Sequence, residues 1–222
     1  MVRCFPQKGY WTDYSSVGER HGYNMIAIID YGAGNLFSAK NALDFLGFEN
    51  CITSHPQVLV DADKLILPGV GAFPDAMRML NQSGLVQTIK QQAENKPLLG
   101  ICVGMQMLFE KGYEFEETDG LGLIGGNVRK IESNGLKIPH IGWNDLTYQN
   151  PCAMLEGVME HSYVYFVHSF CAETADENIA AYTVYGQKIP ALVRRGSVYG
   201  VQYHPEKSGE IGLRMLKNFC EL

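Results

Sequence analysis

From residue 25 onward the chain alternates short apolar runs with stretches of helical periodicity. Residues 26–29 are all apolar and stop at Asp30-Tyr31-Gly32-Ala33-Gly34, the pattern of a buried strand entering a tight turn. Asn35 is placed to cap a following helix. Leu36, Ala39, Leu43 and Leu46 recur on one face of it, and Gly47 ends it. A second apolar run, 64–67, is broken by Pro68-Gly69-Val70-Gly71, with a helix expected from about Pro74 and another over 85–93. A third run, 97–101, ends at Cys102, and the spacing predicts a helix over 103–109. Uniformly apolar short strands alternating with helices specify a parallel sheet covered on both faces.

The second half changes character. Residues 127–131, 163–167, 179–185, 191–194 and 197–203 all read as strands, and no long helix separates them. Ile211, Met215 and Phe219 share one face of a closing helix. The expected fold class is α/β: three layers, a mostly parallel sheet with helices on both faces, and an antiparallel or mixed extension. One domain is expected over residues 25–222. Residues 1–24 are polar and aromatic without periodicity and lack the apolar core of a signal peptide, so they read as a non-native or disordered extension.

Composition narrows the function classes. The 222 residues carry a formal charge of -6 with no run of Lys or Arg, which argues against nucleic acid as a partner. The apolar runs are far too short to span a membrane, and a cytoplasmic location is expected. The six cysteines (Cys4, Cys51, Cys102, Cys152, Cys171 and Cys220) form no C-x-x-C pair and no zinc-ligand spacing. They read as reduced thiols.

One thiol stands in a reactive context. Gly100-Ile101-Cys102-Val103-Gly104-Met105-Gln106 places a nucleophile between strand and helix with glycine on either side, the arrangement of a nucleophile elbow. A helix N-terminus there favours thiolate, and the Val103 N–H can face an oxyanion. A thiolate nucleophile also needs a proton carrier. Tyr199-Gly200-Val201-Gln202-Tyr203-His204-Pro205-Glu206 supplies one, because residues two apart on an extended chain face the same side. Glu206 can then accept the Nδ1 proton of His204 and leave Nε2 for Cys102. The glycine turn Gly69-Val70-Gly71 offers further backbone N–H groups, a weaker signal because such turns are common.

Together these segments resemble the triad (class I) glutamine amidotransferases, over essentially all of residues 25–222. The resemblance rests on the G-x-C-x-G-x-Q elbow ending in Gln106 and on His204-Pro205-Glu206. The segments 30–35, 68–71, 139–144, 165–170 and 203–208 add to it. It implies a catalytic triad of Cys102, His204 and Glu206, and an oxyanion hole from Val103 and the Gly69, Val70, Gly71 turn. It implies substrate binding by Gln106 and by backbone groups around Ser169 and Phe170. It also implies that neither a metal nor an organic cofactor is needed. It further implies a heterodimeric partner, a (β/α)8 cyclase subunit that consumes the ammonia, faced by Trp143, Asn144 and Lys207. His140 and His168 are read as structural or hydrogen-bonding supports. Three other readings stay open: a paralogue feeding a sugar-amidating synthase, a stand-alone cysteine hydrolase of the same fold, and a non-catalytic regulatory subunit.

Overall fold

The computed structural model describes residues 25–132 and 134–222, so the reading of residues 1–24 lies outside the described residues. The first half runs β1 (Ile26–Ile29), α1 (Leu36–Leu46), β2 (Asn50–Thr53), α2 (Pro56–Asp61), β3 (Lys64–Gly69), α3 (Phe73–Ser83), α4 (Val86–Ala93), β4 (Leu98–Cys102) and α5 (Val103–Gln106). The second half adds β5 (Lys111–Gly112), β6 (Thr118–Asp119), β7 (Asn127–Lys130), β8 (His140–Asp145), β9 (Thr147–Tyr148), β10 (Tyr163–His168), β11 (Phe170–Glu173), β12 (Ile179–Tyr185), β13 (Gln187–Arg195), β14 (Val198–Val201) and α6 (Gly209–Cys220).

Eight strands form the main sheet in the order β2-β1-β3-β4-β14-β13-β12-β9. The first five are mutually parallel, and β13, β12 and β9 extend the sheet antiparallel. Every residue of β1, β3 and β4 is buried, which is why these strands read as unbroken apolar runs. The α1 boundaries follow local chemistry. The Asn35 side chain accepts from the Ser38 amide, and Gly47 adopts φ 81°, a left-handed stop that glycine enters without steric cost. α6 buries Met215 and Phe219, with Phe219 edge-on to Tyr199.

Two boundaries differ from the sequence reading. β3 continues through Pro68 and Gly69, which pair with Ile101 and Cys102 of β4. On the other side, pairing with β1 stops at Ile66, and the Pro68 carbonyl accepts from the Tyr31 hydroxyl at 3.0 Å. The missing N–H of Pro68 therefore costs no ladder bond. The helix expected over 103–109 closes at Gln106. The carbonyls of Met107, Leu108 and Phe109 accept instead from the amides of Leu121, of Leu123 and Ile124, and of Gly122. A loop more than ten residues downstream thus takes the bonds a helix would have used.

Outside the main sheet, β7 and β10 fall on the strands expected at 127–131 and 163–167, whereas β5, β6, β8 and β11, and β2 and β9 within the main sheet, carried no strand expectation. β8 and β10 form a separate antiparallel hairpin, and β11-β7-β5-β6 form a small third sheet. No described helix is long and apolar enough to cross a membrane.

Candidate active site

Cys102 ends β4 and adopts φ 56°, ψ -114°, a conformation an L-residue enters only under strain. The surrounding glycines are required by fit. A Cβ on Gly104 would lie 1.9 Å from the Leu67 carbonyl oxygen, and one on Gly69 would lie 2.3 Å from the Gly104 nitrogen. The elbow is thus pressed backbone-to-backbone against β3, which is what turns Cys102 out of the sheet. α5 is a single turn, so its dipole is much smaller than the sequence pattern suggested. As the first residues of that turn, Val103 and Gly104 keep amides with no intrahelical acceptor.

His204 follows β14, the neighbour of β4, so the topology brings it to Cys102. Its amide donates to the Tyr165 carbonyl at 3.0 Å, and its carbonyl accepts from the Ser208 hydroxyl at 2.6 Å. That hydroxyl in turn accepts from the Tyr165 amide at 3.0 Å. This brace fixes the ring's backbone on both sides. His204 Nδ1 lies 2.8 Å from Glu206 Oε1, and each side chain is only 5% exposed. Glu206 Oε2 is buried without a hydrogen-bond partner among the described residues. Burial lowers the His204 pKa, but hydrogen bonds and charges from Cys102 and Glu206 raise it more, leaving it at about 9. The imidazolium form of His204 is therefore available at neutral pH beside Cys102.

A cavity of about 370 Å³ opens over this pair. Of the residues singled out from the sequence, Cys102, Val103, Val70, Gly71, Gln106, Ser169, Phe170, His204 and Lys207 border it. Glu206 stands behind His204, where it and Gly69 border a smaller space. Trp143 and Asn144 do not line the cavity. They lie on the β8–β10 hairpin, where Trp143 is 55% exposed with Ile141 and Tyr163 also exposed. Lys207 sits at the cavity with its side chain outward.

Several contributors were not singled out as site residues from the sequence. Glu114 borders the cavity and accepts from the Phe73 amide at 2.8 Å, holding the start of α3 just beyond the Gly69–Gly71 turn. Tyr31, buried with its pKa pushed up by burial, pins Pro68 on the same stretch. Gln202 links Gln106 to Cys102: its Oε1 accepts from Gln106 Nε2 at 3.0 Å, and its Nε2 donates to Cys102 Sγ at 3.8 Å. Gln202 and Ser208 lie within or beside the His204 segment, so a two-residue register count could have flagged Gln202. Glu114 had no such clue. The Ser169 and Phe170 carbonyls are spent internally, on the Ile131 amide and on Gln106 and His168. Among the described residues no cluster of His, Cys, Asp and Glu has the makings of a metal site.

A strained cysteine at an elbow, a braced histidine and a carboxylate behind it are the constellation of a cysteine-dependent amide-cleaving enzyme. The chain belongs to the class-I glutamine amidotransferase family, whose family model matches residues 27–222. Within that family it is 47% identical over 196 residues to imidazole glycerol phosphate synthase subunit HisH of Bacillus cereus strain B4264, covering 88% of this chain and 93% of that protein. It is 48% identical, at the same coverage, to the HisH subunit of Bacillus mycoides strain KBAB4. Among solved structures it is similar to PurLQS from Thermotoga maritima, with a TM-score of 0.71 at 23% identity over 90% of this chain and 99% of that one. A solved glutamine amidotransferase gives a TM-score of 0.69 at 22% identity over 88% and 97%. These two likenesses establish the α/β fold.

Proposed function

We propose that this chain hydrolyses L-glutamine to L-glutamate and ammonia through a thioester on Cys102, as the glutaminase subunit of an imidazole glycerol phosphate synthase in histidine biosynthesis. The observation that carries the reading is the Cys102–His204–Glu206 line opening on a cavity that also presents Gln106. The HisH relatives supply the pathway.

Cys102 Sγ attacks the side-chain amide carbon of glutamine. The tetrahedral oxyanion is met by the Val103 amide and by an amide of the Val70–Gly71 turn. Each such donor is worth about 3–4 kcal/mol in the transition state. Gly69 serves by fit, allowing β3 to approach the elbow. His204 gives its Nε2 proton to the leaving nitrogen, the C–N bond breaks and ammonia departs. A water then attacks the thioester, His204 takes its proton, and glutamate leaves with Cys102 restored. Glu206 holds the Nδ1–H of His204 throughout, fixing tautomer and orientation. Gln106 offers its carbonyl oxygen to the substrate, and the Glu114 carboxylate suits the α-ammonium group. No metal or organic cofactor enters any step.

Ammonia released to water would be protonated and lost as a nucleophile, so the reading includes a partner. It is a (β/α)8 cyclase subunit docked as a heterodimer, receiving ammonia by a channel and joining it to a phosphorylated ribulosyl aminoimidazole carboxamide. The exposed Trp143 on the β8–β10 hairpin, with Asn144 beside it and Lys207 at the cavity, is assigned to that interface. Mixing the chain with a cyclase subunit of imidazole glycerol phosphate synthase tests the reading. The ribulosyl intermediate should stimulate glutamine hydrolysis strongly. Stimulation by an amidated-sugar precursor instead would assign the chain to a sugar-amidating synthase.

A further inference from the structure

Gln106 has both amide hydrogens committed, because Nε2 lies 3.0 Å from the Phe170 carbonyl and 3.0 Å from Gln202 Oε1. Its own Oε1 is therefore the atom left to meet a ligand. The Phe170 carbonyl also contacts His168 Nδ1 at 2.9 Å. That contact fixes a tautomer. A carbonyl can only accept, so Nδ1 of His168 carries the hydrogen, and a neutral ring then has a lone pair at Nε2.

His140 Nδ1 lies 3.0 Å from that nitrogen and must be the donor. His140 Nε2 is then an acceptor, and Asn144 Nδ2 lies 3.4 Å away. The second Asn144 hydrogen goes to the Val184 carbonyl at 3.1 Å. The bonds thus run one way, from Asn144 through His140 and His168 to Phe170. His140 is stacked between Phe166 and Tyr185, with ring centroids at 4.8 and 4.1 Å, and both histidines are buried. Burial disfavours their charged forms and holds both at about 4, so both rings are neutral at neutral pH, as the chain of bonds requires.

We propose that His168 is a positioning residue for glutamine recognition: its Nδ1–H bond holds the Phe170 carbonyl that fixes the Gln106 amide, and His140 with Asn144 sets its tautomer. The inference rests on the glutaminase reading of this cavity. His168 moves no proton in the reaction. It decides which atom of Gln106 faces the substrate, because a Phe170 carbonyl turned away would release one Gln106 hydrogen and let the amide rotate.

Two measurements on the full chain test this. Long-range nitrogen-15 spectra of histidine-labelled protein at neutral pH should show both His140 and His168 in the Nδ1–H form, the form less favoured in free histidine. Either ring found as Nε2–H or as imidazolium overturns the chain of bonds. The second measurement compares labelling of Cys102 by a glutamine-like chloroketone, which needs recognition, with labelling by iodoacetamide, which needs only the thiolate. His168→Phe should weaken saturation by the chloroketone about tenfold, equivalent to about 1.4 kcal/mol, and leave the iodoacetamide rate nearly unchanged. His168→Asn, whose amide can reach the same carbonyl, should recover most of the loss. His168→Ala serves the same comparison should the phenylalanine not be accommodated. Unchanged chloroketone saturation, or a parallel fall with both reagents, overturns the proposal. If the unaltered chain shows no glutamine-protected labelling of Cys102, the glutaminase reading fails and this inference with it. Protected labelling that is insensitive to His168→Phe removes the inference alone.

Discussion

The two walls of the cavity are built by different physics. The elbow wall, from β3, β4 and α5, is apolar and steric. Its strands are wholly buried, and its glycines exist because a Cβ would strike the neighbouring backbone. The other wall, from β8, β10 and β11, is polar and directional. Its shape depends on a line of hydrogen bonds through His140, His168 and the Phe170 carbonyl, which reaches across to Gln106 on α5. The contrast teaches that the Cys102 elbow is set by fit, which admits almost no substitution, whereas the opposite wall is set by bonds that a conservative replacement can restore.

The comparison can be broken at several points, and the largest effect belongs to the proposed triad. Glu206→Gln keeps the shape but removes the charge behind His204, and kcat for glutamine hydrolysis should fall on the order of a thousandfold or more with little change in KM. Steady-state kinetics of the complex check this. Gly104→Ala attacks the steric wall. Its Cβ would lie 1.9 Å from the Leu67 carbonyl oxygen, and a chemical denaturation series should show a loss of roughly 3 kcal/mol. Trp143→Ala leaves both walls intact and should weaken partner binding by about 2 kcal/mol, read as Kd by titration calorimetry. The stability of the lone chain should stay within about 0.5 kcal/mol.

The smallest effect is a pH dependence that separates the walls by sign. His204 is raised to about 9 in the folded chain, so its contribution is complete below the unfolded value near 6.5 and is lost as pH rises through 9. His140 and His168 are lowered to about 4, so their contribution is present above 6.5 and is lost as pH falls toward 4. Thermal denaturation across pH should therefore show Tm falling at both ends. Glu206→Gln should shrink the alkaline fall, and His168→Phe the acid one.

The same contrast explains what the sequence made legible. The elbow wall was readable because burial on both faces leaves runs such as 64–67 and 97–101, and because close approach leaves glycines at 100 and 104. The His204–Glu206 pair was readable because strand geometry makes a two-residue spacing meaningful. β8 was not read as a strand: it lies in a two-stranded hairpin outside the main sheet, with Ile141 and Trp143 exposed, so no clean apolar alternation marks it. The end of α5 was misplaced because its later carbonyls bond to residues 121–124, a tertiary choice that periodicity does not encode. Glu114 and the directed line through His168 were invisible for the same reason. Each depends on which backbone group lies across from it.

The central claim is that Cys102 carries the glutamyl group, and acid quenching during turnover tests it most directly. The complex is mixed with glutamine, quenched, digested and examined by peptide mass spectrometry. The account predicts a γ-glutamyl thioester on the Cys102 peptide and no glutamate production by Cys102→Ala. Glutamate formed without that adduct, at an undiminished rate in the alanine variant, would contradict it.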